Sequence, residues 1–216
     1  RVPLIVKWPS RWSSNHVSTE LVSLVDLAPT LLEAAGARPI PNLPGRSLDP
    51  LLKRKSTNWR EYLFTEYHIH SAHNYYPQRT VQNRHFKLIR NLMPGKVNPG
   101  YMFTNNRFFE GLMGTIENAE EPIRSAYLNM ERPVEYELYD LKNDPHEFSN
   151  LINDSSHAKE LARLKKELQA WREETNDPML NPRNVLRLKA EVNACFTDGQ
   201  PDKKKLTLTY PEYFFE

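Results

Sequence analysis

The strongest periodic pattern in the chain is amphipathic and predicts a helix from about His157 to Glu174. Its apolar side chains recur every three or four residues and form one stripe, made of Leu161, Leu164, Leu168 and Trp171. A shorter helix is predicted from about Leu27 to Ala35, since Asp26 can cap its start and Gly36 can end it. Both helices carry an apolar face and are therefore expected to pack against other elements.

Four extended segments follow from runs or alternations of apolar residues. Val2 to Trp8 holds the uninterrupted apolar core of a strand that is covered on both faces. Glu61 to Tyr67 and Glu137 to Leu141 are typical of half-buried strands, and Thr80 to Leu92 is typical of a hairpin broken near Asn83-Arg84. The pattern predicts an antiparallel sheet carrying the long helix, which is an α+β arrangement.

These elements divide the chain into three parts. Residues 1–57 hold a strand, a helix and a proline-rich loop, and residues 58–178 hold the antiparallel sheet and the long helix. Residues 179–216 form a tail whose structure the sequence does not predict. The long polar segment before the last strand is expected to contain one short helix, around Asn106 to Met113. A buried strand at residue 2 needs neighbours, so we expect a fragment or a processed product of a longer chain.

Composition narrows the possible functions only slightly. The 216 residues include 29 basic and 27 acidic side chains, for a net charge of +2, so nothing argues for nucleic-acid binding. No apolar run reaches the roughly 20 residues that a membrane span needs. The single cysteine, Cys195, excludes an internal disulfide framework.

The segment from Glu137 to Leu151 predicts a strand that stops sharply and turns. Pro145 ends the strand ladder because it lacks an N–H donor. Asp144 and Glu147 have the spacing of a capping box, so a capped helical turn is expected after the strand. No chemistry is assigned to these residues.

The same segment, read as ELYDL-x-x-DP-x-E-x-x-NL, resembles the C-terminal hallmark of the sulfatases. Other stretches that resemble the family, in the family's order, are VPLIVKWP (2–9), LVSLVDLAPTLL (21–32) and LPGRSL (43–48). Within the family the resemblance is greatest to the heparan N-sulfatase (N-sulfoglucosamine sulfohydrolase) branch, through YPQRTVQNRHFKLI (76–89) and WREETNDP (171–178). Residues 180–216 match nothing recognisable.

The resemblance implies a fold in two parts. The first is the end of an alkaline-phosphatase-like α/β sulfatase domain, which residues 1–57 would supply. The second is an α+β C-terminal subdomain, an antiparallel sheet packed on a long helix. The resemblance also implies a periplasmic, secreted or lysosomal protein, whose missing N-terminal domain would be this chain's partner.

The resemblance implies two cofactors as well, a calcium ion and a formylglycine nucleophile made from Cys or Ser in a C/S-x-P/A-x-R motif. The residues after Cys195 do not fit that motif, and Ser10-Arg11 does not either. No paired aspartates offer a calcium site. The expectation is therefore that the chain contains no catalytic residue and no metal ligand, and that it is inactive alone.

One dense polar cluster, from Glu66 to Arg79, is the candidate binding segment. Its candidate substrate-binding residues are His68, His70, His73 and Arg79. Histidine and arginine suit an anionic sulfated sugar, and His70 falls where the family resemblance places a pocket histidine, although Ser71 replaces an acidic neighbour. The alternatives are a metal site, for which only Glu66 offers a further ligand, and a polar loop with satisfied histidines.

The sequence thus predicts the C-terminal part of a sulfatase that acts on a sulfated, glycosaminoglycan-like sugar. Its role would be to complete the fold and the rim of the substrate pocket. One alternative is a non-catalytic carbohydrate-binding or scaffolding module, against which the buried first strand argues. Another is a related phosphonate or phosphodiester hydrolase of the same superfamily, which only a nucleophile outside this chain would distinguish.

Overall fold

A computed structural model of the chain describes residues 3–55, 58–69, 75–99, 112–197, 200–205 and 207–215. It divides into two compact units, Arg1–Leu63 and Phe64–Glu216. No helix in the described ranges is long and apolar enough to cross a membrane.

The first unit is built on short helical elements. A 3-10 turn at Leu24–Asp26 leads into α1 (Leu27–Ala34), and α2 (Asp49–Leu52) follows a proline-rich stretch. The predicted helix is confirmed, and Gly36 ends it with a φ of 65° that a residue with a Cβ rarely adopts.

Two expectations for the first unit are wrong. Residues 3–8 form no strand, and Ile5 is 91% exposed. A strand exists only where a neighbour completes its backbone hydrogen bonds, and none of the described residues pairs with this segment. The carboxylate of Asp26 also does not cap α1 but binds other partners, described below.

The second unit contains a four-stranded sheet in the order β1 (Leu63–Ile69), β2 (Tyr75–Gln82), β3 (Phe86–Asn91) and β4 (Tyr136–Asp140). Strands β2, β3 and β4 are antiparallel neighbours, with Val81 opposite Leu88 and Leu88 opposite Leu138. The antiparallel pairing of β2 with β3 confirms the predicted hairpin. In its turn, the Asn83 side-chain oxygen accepts from the N–H groups of His85 and Phe86.

The described residues between β3 and β4 include α3 (Leu112–Glu117) and α4 (Ile123–Glu131). Of the short helix expected around residues 106–113, all but the last two positions lie outside the described residues.

Helix α5 (Ala158–Glu174) matches the predicted amphipathic helix and contacts β2 and β3. Leu164 and Leu168 are buried at its centre, over a sheet face whose Val81, Leu88 and Leu138 are fully buried. At its end, Trp171 stacks on Phe64, with 5.2 Å between ring centroids. This packing fixes the last turn of α5 over the start of the sheet.

The tail, for which the sequence predicted no structure, is mostly helical. A 3-10 turn at Pro178–Leu180 precedes α6 (Pro182–Ala194), whose cap Asn181 accepts from the Arg183 N–H. A short hairpin of β5 (Phe196–Thr197) and β6 (Gln200–Pro201) and 3-10 turns at Lys203–Lys205 and Tyr210–Phe215 follow. A core cluster joins the tail to β2 and contains Tyr75, Met179, Val185, Leu188, Val192 and Tyr213.

The turn after β4 differs from the expected capping box. Glu147 has a φ of 59°, in the left-handed region, so no helical turn forms there. The Asp144 carboxylate instead accepts from the Ser149 N–H at 2.7 Å, and Glu147 binds Lys87 Nζ at 2.6 Å. The capping-box prediction is therefore wrong, although the segment does end the strand at Asp140.

Candidate functional site

A buried carboxylate, Asp177, is the centre of the cluster that includes two of the predicted site residues. Arg79 donates to it with a forked pair, Nε to Oδ2 at 2.9 Å and Nη2 to Oδ1 at 2.7 Å. Arg172 donates from Nε to Oδ2 at 2.6 Å, and the Met179 N–H donates to Oδ1 at 3.0 Å. Arg79 is 0% exposed and Arg172 is 2% exposed, so the cluster is shielded from solvent.

Three elements bring these groups together. Arg79 lies on β2, on the sheet face that α5 covers, and Arg172 lies in the last turn of α5. The chain then reverses through Asn176, whose φ is 50°, and the Asp177 N–H donates to the Arg172 carbonyl at 2.8 Å. Asp177 also caps the following 3-10 turn, so its carboxylate is held by the backbone as well as by the arginines.

The buried charges of the cluster do not balance. Burial alone would raise the pKa of Asp177, but the hydrogen bonds and charge of Arg79 and the bond from Arg172 hold that pKa below its usual range. Burial lowers the pKa of Arg172, and the nearby Arg90 and Arg79 lower it further, against the effect of Asp177. Two buried guanidinium groups thus share one buried carboxylate, and the half-exposed Glu66 also forms a salt bridge with Arg79 at 3.6 Å.

His68 lies beside this cluster as a neutral base. Its Nε2 is 2.8 Å from Arg79 Nη2 and 2.9 Å from the Tyr210 hydroxyl. A guanidinium can only donate, so Nε2 accepts and the ring proton is on Nδ1. Burial, followed by the charge of Arg79, lowers the pKa of His68 to about 4, so the ring is uncharged at neutral pH.

The structure therefore brings His68 and Arg79 into one cluster, whereas His70 and His73 lie outside the described residues. The forked donors of Arg79, expected to face a sulfated sugar, are on Asp177 in this structure. A substrate-binding role for the four residues stays a prediction. Sequence reasoning missed Asp177, Arg172 and Tyr210, and the only local signal was the Asp-Pro pair just after the long helix.

The residues present do not fit the cofactors that the family implies. Cys195 is 1% exposed, and its Sγ lies 3.2 Å from the Glu191 carbonyl oxygen as a donor, inside a core rather than in a nucleophile motif. Within the described ranges, no group of three or more His, Cys, Asp or Glu side chains could hold a metal ion.

Comparison with known proteins places this fold in a family. Residues 1–98 match the family model described as N-sulphoglucosamine sulphohydrolase, C-terminal. The N-sulphoglucosamine sulphohydrolase of Homo sapiens is 33% identical over 87% of this chain and 39% of its own length. An ulvan-active sulfatase of Formosa agariphila is 26% identical over 99% of this chain and 43% of its own length.

A solved 2-O GAG sulfatase covers 74% of this chain and 28% of its own length, with a TM-score of 0.50 and 23% identity, and so supports the fold. The matches to the family model and to the two curated relatives support this chain as a member of the sulfatase family. It corresponds to a C-terminal portion similar to that of N-sulphoglucosamine sulphohydrolase. The chain spans about two fifths of the length of the two curated relatives named above.

Proposed function

We propose that the chain is the C-terminal part of a sulfatase that removes N-sulfate or O-sulfate groups from a sulfated, glycosaminoglycan-like sugar. The observation that carries the proposal is the match of residues 1–98 to the C-terminal family model, joined to 33% identity with the human relative. The proposal includes O-sulfate because of a Bacteroides thetaiotaomicron relative named N-acetylglucosamine-6-O-sulfatase. That relative is 26% identical over 96% of this chain and 27% of its own length.

Within that enzyme, the chain would complete the fold and form part of the rim of the pocket. The sheet of β1 to β4 with α5 on one face would be the C-terminal subdomain, following the end of the α/β domain. A calcium ion and a formylglycine are proposed for the whole protein only, since the described residues of this chain do not supply a metal site and Cys195 lies in no nucleophile motif. No step of the reaction is assigned to these residues.

The proposed contact to substrate is the segment 70–74, which joins β1 to β2 and contains His70 and His73. The described residues at its two ends support this proposal. His68 near the end of β1 and Arg79 on β2 are held together by a 2.8 Å contact and anchored on Asp177.

The test is sulfate release, measured by ion chromatography, from N-sulfoglucosamine and from N-acetylglucosamine 6-sulfate. The longer protein that carries this chain is expected to release sulfate from at least one, and the chain alone from neither. Replacing His70 with Ala should lower kcat/KM about tenfold or more, the worth of a hydrogen bond to a charged group. His85→Ala, at an exposed position in the β2–β3 turn, is the matched control. Turnover by the chain alone, or a folded longer protein inert on both sugars, would overturn the proposal.

A further inference from the structure

A second arginine lies directly across the sheet from Arg79. In the register of β2 and β3, Arg79 is opposite Arg90, and Arg90 is opposite Tyr136 on β4. Like charges that face each other on neighbouring strands destabilise a sheet unless other charges compensate them. Arg79 is compensated by Asp177, so the question is what compensates Arg90.

The guanidinium of Arg90 is poorly satisfied. Its Nε is buried and has no hydrogen-bond partner among the described residues. Its closest carboxylate is that of Glu135, 3.8 Å from Nη2, and the Glu135 side chain is 54% exposed. The ring of Tyr136 lies 5.4 Å from the Arg90 guanidinium, and the same ring also faces Lys165 Nζ at 4.0 Å. A buried donor left without an acceptor destabilises the fold, so such groups normally have a partner.

Arg90 and Arg172 line the same pocket. Its volume is about 250 Å³, and Asn91, Gln169, Glu135 and Met179 also line it. Of the guanidinium of Arg172, only Nε has a hydrogen-bond partner within the part of the chain that the structure describes, namely Asp177. The pocket is therefore lined by two guanidinium groups, each of which has N–H donors without an acceptor among the described residues. It is smaller than the roughly 300–1,000 Å³ of pockets for larger ligands, so it suits a small group.

The buried charges around the pocket favour an anion there, although the half-exposed carboxylate of Glu135 also lines it. Positive charge comes from Arg79, Arg90 and Arg172, while Asp177 is the buried carboxylate that faces them. The other acidic side chains in contact, Glu66 and Glu135, are about half exposed and lie 3.6 and 3.8 Å from their arginines. Arginine donors bind planar or tetrahedral oxyanions in a forked geometry that a water molecule cannot reproduce.

We propose that the pocket between Arg90 and Arg172 binds a small oxyanion, a sulfate or a carboxylate, either free or attached to a sugar. This site uses the opposite side of the Asp177 cluster from His68, and it does not require that the chain contact the reacting sulfur. Sulfate as the probe rests on the proposed function. Because the test measures binding and not turnover, failure of the oxyanion site is distinguishable from failure of the proposed sulfatase function.

The experiment follows the arginine Nε–Hε cross peaks of the ¹⁵N-labelled chain by NMR. Sodium sulfate is titrated against sodium chloride at matched ionic strength, with Arg90→Gln used to assign the Arg90 peak. We expect the Arg90 peak to shift saturably with sulfate and not with chloride. Arg90→Gln should weaken sulfate binding about tenfold, as followed by the shift in melting temperature. A titration with N-acetylglucosamine 6-sulfate against N-acetylglucosamine then separates a free anion from a sugar-borne one.

Arg132→Gln is the matched control, since Arg132 also has a carboxylate at 3.8 Å but its side chain is 58% exposed and lies outside this pocket. Arg90→Lys keeps the charge and loses the fork, and it serves if the glutamine variant does not fold. Equal responses to sulfate and chloride, or equal affinities of the Arg90 and Arg132 variants, would show that no oxyanion site exists here.

Discussion

Asp26 in the first unit and Asp177 in the second are both buried carboxylates that hold an arginine, but their surroundings differ in charge. Asp26 is 0% exposed and binds both terminal nitrogens of Arg60, at 2.8 and 2.5 Å. The backbone N–H groups of Ser23 and Arg46, each at 2.8 Å, occupy its remaining acceptor positions. One carboxylate thus pairs with one guanidinium, so the charges are equal and both carboxylate oxygens have hydrogen-bond donors.

Asp177 instead holds two arginines, with a third arginine across the strand from the first. Two of these arginines, Arg90 and Arg172, line a pocket, whereas the guanidinium of Arg60 is matched by the carboxylate of Asp26. A buried ion pair by itself is therefore weak evidence of a functional site, since many serve only the fold. The ratio of arginines to buried carboxylates and the presence of an unsatisfied donor distinguish the two groups.

One of the hydrogen bonds to Asp26, from the Arg46 N–H, depends on the neighbouring Gly45. A Cβ at Gly45 would overlap the carbonyl oxygen of Val25, so only glycine allows this close approach of two backbones. That approach places the Arg46 N–H on Asp26. The LPGRS stretch of the sequence thus shapes the first unit by backbone contact and not by side-chain chemistry.

The largest effect is expected from Asp177→Asn. It removes the single buried negative charge between Arg79 and Arg172, and an uncompensated buried charge costs about 3–5 kcal/mol of unfolding free energy. Urea unfolding followed by circular dichroism measures the loss. Asp154→Asn is the control, because Asp154 also caps a 3-10 turn but is exposed, so a much smaller loss is expected. Similar losses of stability in the two variants would show that the buried charge of Asp177 does not stabilise the fold more than an exposed capping carboxylate does.

Asp26→Asn should cost less, about 2–3 kcal/mol. The amide keeps an acceptor for one of the two backbone N–H groups, and the side chain of Arg60 is 12% exposed, so water can solvate part of the released charge. Hydrogen exchange of the α1 amides reports the loss in the first unit. If the variant lost more stability than Asp177→Asn, the contrast in charge balance between the two groups would be wrong.

The periodic parts of the fold were predictable from the sequence, and the rest depended on distant partners. Helix α5 and the β2–β3 hairpin follow from spacing and turn chemistry, and both were predicted within a few residues. The strand expected from residue 2 failed because a run of apolar residues does not reveal whether a neighbouring strand exists. The helical turn expected at Asp144 failed because Glu147 adopts a left-handed backbone and pairs with Lys87, 60 residues away.

The candidate site was also predictable only in part, because sequence patterns reveal local clusters and not partners that are distant in the chain. The local density of histidines and arginine drew attention to His68 and Arg79. Their partners are far along the chain, since Asp177 is 98 residues from Arg79 and Tyr210 is 142 residues from His68. The pairing of Arg90 with Arg79 also requires the register of the sheet, and a hairpin prediction fixes that only to within a residue or two.

A third prediction concerns pH. The pKa of His68 is lowered to about 4 in the folded protein, against about 6.5 when it is exposed. The unfolded chain therefore binds the proton more readily, and the stability contributed by the neutral ring is lost as the pH falls from about 6.5 to about 4. The loss should be on the order of 2 kcal/mol after solvent screening, measured by urea unfolding at pH 7.0, 5.5 and 4.5.

His68→Gln is the control for this window, since glutamine accepts a hydrogen bond and does not titrate. The slope of stability between pH 6.5 and 4.5 should be shallower in this variant than in the unmodified chain. The Asp177 carboxylate, whose pKa is lowered, contributes only below its usual value of 3.8 and so leaves this window unaffected. An identical slope in the two proteins would mean that His68 titrates normally and is not held by Arg79.

The smallest effect is expected from Tyr210→Phe. The ring of Tyr210 packs edge-on against Tyr213 and Phe214, and phenylalanine keeps those contacts while losing the hydroxyl 2.9 Å from His68 Nε2. The loss of one hydrogen bond should cost about 1 kcal/mol. Because Arg79 still donates to Nε2, the ring should stay neutral, and the ¹⁵N shifts of His68 should show no protonation between pH 7 and 5. Protonation of His68 within that range would show that Tyr210, and not the charge of Arg79, keeps the histidine neutral, and the Asp177 cluster would then be less strongly positive than its arginines imply.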